Sequence, residues 1–151
     1  MKLGAFQALA LMTVAAIYVL IVLGGLVSST GSGLACPDWP LCKGQMIPAL
    51  TVSVLIEFTH RVWSILVTTL VVATMVFAWK AYRWSAKATK LSTLTFILLV
   101  DQVVLGMVTV RSGTMAIVVT AHLAVATLVF ASALTTAVTS LQLNPKEVSV
   151  N

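Results

Sequence analysis

Residues 3–27 of this 151-residue chain read LGAFQALALMTVAAIYVLIVLGGLV, an apolar run with no charged side chain. About 20 apolar residues suffice for a helix to cross a hydrocarbon layer of about 30 Å. Three further segments qualify, at residues 52–79, 91–110 and 115–141. Because lipid offers no hydrogen bonds to the backbone, each segment is predicted to be a helix. The sequence therefore predicts an all-α integral membrane protein, an antiparallel bundle of four transmembrane helices forming one domain over residues 1–151.

The composition agrees with this class of protein. Only 9% of the residues are charged and the mean hydropathy is +1.07, whereas soluble domains carry about 25% charged residues. The net charge is +5. If the chain crosses the membrane four times, most of its basic residues fall on the same side of the membrane: Lys2, Lys80, Arg83, Lys87, Lys90 and Lys146. By the positive-inside rule, both termini are cytoplasmic and the loop at residues 28–51 faces outward. We therefore expect a multi-pass protein of the cell membrane, and we exclude nucleic acid as a partner.

A weak internal repeat suggests two related helix hairpins. The stretch LGGL at residues 23–26 parallels LGMV at residues 105–108, so that position 24 corresponds to position 106. Each stretch is followed by a helix with one histidine in its outer part, His60 or His122. Each hairpin is thus predicted to bring one histidine to the same membrane depth.

His60 and His122 are the first candidates for chemistry, because ionisable groups inside membranes are costly and usually functional. Both are predicted to lie about 12 Å below the outer boundary, at 1.5 Å per residue. Two imidazoles at one depth suit the two axial positions of a haem iron. The alternative is that each histidine only binds a neighbouring carbonyl group.

Glu57, His60 and Arg61 are spaced to share one helix face. Glu57 could transfer protons or orient the His60 ring. Arg61 could pair with Glu57 or with an anionic group such as a haem propionate. A purely structural Glu57–Arg61 pair is the alternative. For Asp101, in the middle of the third helix, a structural or assembly role is favoured over a catalytic one.

The outward loop contains the only two cysteines, Cys36 and Cys42, in the stretch CPDWPLC. A disulfide is sterically reasonable and would persist on the outer face. The spacing is not the Cys-x-x-Cys of redox centres, and zinc is disfavoured because Asp38 is the only other good ligand nearby. A structural disulfide that holds the loop is favoured over redox chemistry.

These motifs together resemble the haem A synthase family. The similar stretches are GSGL at residues 31–34, CPDWPLCKG at 36–44, Glu57-x-x-His60-Arg61, QVVLGMVTV at 102–110 and His122-Leu123. The resemblance implies a membrane enzyme that oxidises a methyl group of haem O to the formyl group of haem A, for terminal oxidases. It implies axial iron ligation by His60 and His122, and an essential acidic role for Glu57. For Cys36 and Cys42 it implies a redox or stabilising role.

One departure from this family is the helix count. Typical members have eight transmembrane helices in two similar halves, with a second histidine pair and haem B in the second half. The present chain resembles one half, so a homo-oligomer is expected to supply further haem sites. The implied partners are haem O synthase and a quinone or other electron acceptor. Two other functions stay open: a bis-histidine b-type cytochrome that relays electrons, and a thiol–quinone oxidoreductase, which is disfavoured because no further cysteines are present.

Overall fold

The computed structural model describes residues 4–82 and 86–142. It contains four long helices: α1 (Ala5–Ser29), α2 (Val52–Ala81), α3 (Lys87–Arg111) and α4 (Ala116–Gln142). All four are long and apolar enough to span a membrane, and the described ranges contain no strand. The predicted all-α, multi-pass architecture is confirmed. Three of the basic residues used to assign sidedness, Lys2, Arg83 and Lys146, lie outside the described residues.

The observed helices differ from the predicted apolar segments by a few residues at their ends. Helix α3 begins at Lys87, ahead of the predicted start at residue 91. Apolar content marks the part of a helix that lies in hydrocarbon, whereas the backbone hydrogen bonds continue into the polar headgroup region. The start of α2 is set by a cap, because Thr51 Oγ1 accepts a hydrogen bond of 3.4 Å from the Val54 N–H.

The four helices form a closed ring. Helix α1 packs against α2 and α4, and α3 packs against the same two helices, so α2 and α4 face each other across a diagonal. A tight turn joins α3 to α4, with Gly113 and Thr114 in the left-handed region at φ of 67° and 59°. This arrangement matters for the site, because α2 and α4 carry the two histidines.

The internal repeat is visible in the fold. The sequence offset that matches Gly24 with Gly106 also matches the first and last residues of α1 with those of α3, so that Ala5 corresponds to Lys87 and Ser29 to Arg111. Thr13 bonds Thr74 across the first hairpin, with 2.8 Å between the hydroxyl oxygens. In the same register Thr13 corresponds to Thr95, which bonds Ser132 across the second hairpin, also at 2.8 Å. The first helix therefore has the same length in both hairpins, and in each it forms a hydroxyl–hydroxyl hydrogen bond with the second helix.

The apolar core fills the part of the bundle away from the outer loop. Its buried members include Ile17, Val67 and Val71, and the last two follow His60 by two to three helical turns. Small residues in the core let the helices approach closely. Trp63 adds a polar contact, donating its indole N–H to the carbonyl of Ala16 at 2.9 Å. The helix ends on the side of the loop at residues 28–51 are left for the site.

Candidate haem site

Each histidine packs against a glycine of the neighbouring helix. A Cβ atom at Gly24 would lie 3.3 Å from His60 Nε2, and one at Gly106 would lie 3.3 Å from His122 Cε1. At such distances a larger side chain would displace the ring. The two glycines occupy equivalent positions of the repeat. Each hairpin therefore uses a glycine to seat an imidazole against its first helix.

The two imidazoles lie at matched positions on diagonal helices. His60 is eight residues from the start of α2 and His122 is six residues from the start of α4, which corresponds to about 12 and 9 Å along the axes. Both rings are half-buried. The pairing of these two side chains, which the repeat predicts, stays a prediction.

Of the two histidines, only His122 has a hydrogen-bonding partner among the described residues. Gln102 on α3 places its amide nitrogen 3.3 Å from His122 Nε2. The Nδ1 atom of His122 and the Oε1 atom of Gln102 are buried and have no partner within the described ranges. The second hairpin thus contains two unsatisfied polar atoms next to the candidate site.

Glu57 and Arg61 form a buried ion pair one turn from His60. Arg61 Nε donates to Glu57 Oε1 at 2.8 Å, and the two side chains are only 13% and 6% exposed, Arg61 being the first. The guanidinium also reaches the outer loop. Its Nη1 donates to the carbonyls of Asp38 at 2.7 Å and Leu41 at 2.6 Å, and Nη2 donates to that of Cys36 at 2.7 Å. Arg61 therefore joins the loop to the acidic residue beside His60.

These contacts use most of the hydrogen-bonding capacity of Arg61. The bonds engage one N–H on Nε, two on Nη1 and one on Nη2, and a guanidinium has five N–H groups. One N–H on Nη2 is left for an anionic group. The expectation that Arg61 binds a haem propionate stays a prediction, and it rests on that single donor.

The cysteines form a disulfide. Cys36 and Cys42 are bonded to each other, with Cα atoms 4.5 Å apart, and are 0% and 1% exposed. The bridge packs against Val54 and Phe58 near the start of α2. The loop is thus attached to α2 by apolar packing as well as by Arg61.

Asp38 closes the turn inside this loop. Its carboxylate accepts hydrogen bonds from the backbone N–H groups of Gly44 at 2.7 Å and Lys43 at 2.5 Å. These N–H groups, that of Gly44 first, hold the pKa of Asp38 below its ordinary value. Backbone pairing of Cys42 with Gln45 completes the turn. Asp38 therefore shapes the loop through these hydrogen bonds.

Asp101 lies apart from this site. Its side chain is exposed on the outside of the bundle, whereas the adjacent Gln102 points inward. Asp101 makes no ion pair or hydrogen bond with any residue that the structure describes. The prediction of a structural or assembly role stays a prediction.

The donor set fits a haem better than a bare metal ion. Within residues 4–82 and 86–142, no three side chains of His, Cys, Asp or Glu cluster as a metal-binding group. Two imidazoles suffice for haem, because the porphyrin supplies the other four nitrogens of the iron. The unpartnered Nδ1 of His122 is a further sign that the polar groups here await a ligand.

Three residues of the candidate site had no role assigned from the sequence. Gly24, Gly106 and Gln102 were visible only as parts of repeated or similar stretches, without a chemical assignment. The repeat itself carried the signal, because glycines at equivalent positions of the histidine-bearing hairpins are natural contacts for the two rings. The contacts of Arg61 with loop carbonyls had no sequence signal, since backbone carbonyls occur at every residue.

The chain resembles known proteins over most of its length. Residues 7–151 match the COX15-CtaA family, described as cytochrome oxidase assembly protein. The chain is 32% identical to a heme A synthase from Bacillus licheniformis over 131 residues, which cover 86% of this chain and 43% of the relative. A heme A synthase from Bacillus pumilus is 32% identical over 132 residues, which cover 86% of this chain and 43% of the relative. A heme A synthase from Bacillus mycoides is 32% identical over 126 residues, which cover 82% of this chain and 40% of the relative.

The chain therefore spans less than half the length of these relatives. The family match covers nearly the whole chain, including both histidines, the disulfide loop and the Glu57–Arg61 pair. On this basis the chain belongs to the COX15-CtaA family of cytochrome oxidase assembly proteins.

Proposed function

We propose that this chain is a haem A synthase, which oxidises a methyl group of haem O to the formyl group of haem A. The observation that carries the proposal is the pair of glycine-seated imidazoles on diagonal helices, with a buried carboxylate one turn from His60. The relatives named heme A synthase support the same reaction. The enzyme is an oxidoreductase of the membrane, with haem O as substrate and haem B as the proposed cofactor.

His60 and His122 would hold the haem iron. A haem bound there supplies redox chemistry at its iron and presents its ring substituents to the protein. The glycines at positions 24 and 106 leave room for each imidazole, because a Cβ atom there would come within 3.3 Å of the ring. The helix packing therefore constrains where each imidazole would meet a haem.

Glu57 is the proposed proton acceptor. Conversion of the methyl group to a formyl group, with water as the source of the oxygen atom, replaces C–H bonds by a C=O bond and releases four protons and four electrons. Glu57 has one carboxylate oxygen bonded to Arg61, and the other is available to accept a proton. Arg61 fixes the orientation of this carboxylate and ties it to the outer loop. The electrons would pass to a quinone or other acceptor, and haem O synthase would supply the substrate.

Sidedness and assembly are part of the proposal. The basic residues predict cytoplasmic termini and an outer disulfide loop, where the buried Cys36–Cys42 bridge would persist. A homo-oligomer is proposed because these 151 residues contain one histidine pair, so that further copies would supply further haem sites. The mass of the detergent-extracted protein tests this, and a monomer with a full complement of haem would contradict it.

The reaction is tested by co-expressing the chain with a haem O synthase and extracting the pigments. We expect haem A in the extract. A Glu57→Gln variant keeps an oxygen for Arg61 but lacks the proton-accepting carboxylate, so we expect it to bind haem and to lose about 100-fold or more in haem A formation. Recovery of only haems B and O from a folded, haem-loaded wild-type protein would contradict the proposal and favour an electron-relaying cytochrome.

A further inference from the structure

The contact between Gln102 and His122 distinguishes the two halves of the site. The amide nitrogen of Gln102 lies 3.3 Å from His122 Nε2. The register of the repeat, which pairs Gly24 with Gly106, places Leu20 of α1 at the position equivalent to Gln102. Leucine cannot form a hydrogen bond through its side chain, and His60 makes none with the residues that the structure describes. The repeat therefore gives the two histidines the same glycine contact but different polar surroundings.

The hydrogen bond defines which nitrogen of His122 is engaged. With the amide nitrogen of Gln102 facing His122 Nε2, the NH₂ group donates, and Nε2 accepts on the tautomer that is protonated at Nδ1. Nε2 lies farther from the helix backbone than Nδ1 does, so a porphyrin reaches it more readily. The iron and the amide of Gln102 therefore compete for one lone pair.

The arrangement without ligand leaves polar groups unsatisfied. Among the described residues, Gln102 Oε1 and His122 Nδ1 are the buried side-chain nitrogen or oxygen atoms without a partner. Both belong to this one contact, whereas every other buried polar side-chain atom in the described ranges is paired. An unsatisfied buried polar atom is destabilising, so a rearrangement of this contact that gives Gln102 Oε1 a partner is favoured.

We propose that Gln102 is a positioning residue that holds His122 Nε2 in the ligand-free protein and releases it to the haem iron. This inference rests on the proposed haem site. Among the described residues, no hydrogen bond to His60 competes with the iron, so the two histidines would differ in how readily they bind it. Gln102 thereby lowers the affinity of the site for haem and makes the two axial positions unequal.

The first test compares haem affinity. Ferric haem B is titrated into the purified, haem-free protein in detergent, for the wild type and for Gln102→Leu, which gives α3 the side chain that α1 has at residue 20. A net hydrogen bond is worth about 0.5–1.5 kcal/mol, so we expect the dissociation constant to fall by about two- to tenfold. Gln102→Asn is the second variant, since its amide is one methylene shorter and should no longer reach Nε2.

The second test needs no haem. With ¹⁵N-labelled histidine, NMR of the ligand-free protein reports the tautomer of each ring. We expect a single tautomer protonated at Nδ1 for His122 in the wild type and a mixture in both Gln102 variants, whereas the His60 signals stay unchanged. Unchanged His122 signals together with unchanged haem affinity in both variants would overturn the proposal. Weaker haem binding in both variants would also overturn it, because Gln102 would then stabilise the filled site.

These outcomes are separate from those of the proposed reaction. The NMR measurement does not depend on haem A formation. A protein that shows the expected tautomers and affinities but makes no haem A would contradict the synthase proposal and leave the role of Gln102 intact.

Discussion

At the scale of single residues, two glycines set the positions of the two histidines. Gly24 and Gly106 have no Cβ atom, and the imidazoles of His60 and His122 occupy the space that a side chain would need. A contact of 3.3 Å is tight enough that any added methyl group must move the ring. Ring position in turn determines how an imidazole meets an iron atom.

Gly24→Ala tests this contact, and Gly25→Ala is its matched control. A Cβ atom at Gly25 would meet nothing within 4 Å, although the residue is adjacent on the same helix. We expect Gly24→Ala to weaken haem binding by about two- to tenfold, as a side chain forced off its rotamer costs about 0.5–1.5 kcal/mol. The low-spin haem spectrum should shift as well. Equal spectra and affinities for the two variants would show that the glycine contact has no role.

At the scale of elements, the disulfide loop and the start of α2 form one unit. The loop carbonyls of residues 36, 38 and 41 converge on the Arg61 guanidinium, and the disulfide packs on Val54 and Phe58. The disulfide holds the loop in a shape that presents these carbonyls together. Reaction chemistry at the sulfurs is not needed to explain why the cysteines are there.

Removal of the disulfide tests this structural role. A bridge between cysteines with a sequence separation of 6 stabilises a chain by about 2 kcal/mol in the loop-entropy account. We expect Cys36→Ala and Cys42→Ala to lower the thermal stability of the detergent-solubilised protein and to increase proteolysis of the loop, with haem retained because Arg61 still binds the loop. Complete loss of haem in both variants would instead make the loop part of the haem site.

The four helices were predictable because a span of lipid imposes a length and an apolar composition on each of them. The start of α3 at Lys87 could not be predicted in this way, since Lys87 and Lys90 lie within the helix but outside the apolar segment. The pairing of His60 with His122 is predicted from their depths and stays a prediction. The partners of Arg61 could not be predicted, because they are backbone carbonyls whose positions depend on how the loop turns.

At the scale of the whole molecule, two similar hairpins build one asymmetric site. The repeat places the histidine-bearing helices α2 and α4 on a diagonal, and each hairpin contributes the same glycine–histidine contact. The acidic residue and the loop belong to the first hairpin, at Glu57 and Arg61, and the competing amide belongs to the second, at Gln102. The two similar hairpins thus place different polar side chains beside the candidate site.

The central claim is that His60 and His122 bind one haem iron between α2 and α4. Electron paramagnetic resonance of the purified, haem-loaded protein tests it most directly, with His60→Ala and His122→Ala as variants. The account predicts a low-spin bis-imidazole signal in the wild type and its loss in each variant. The same low-spin signal in both variants would contradict the account.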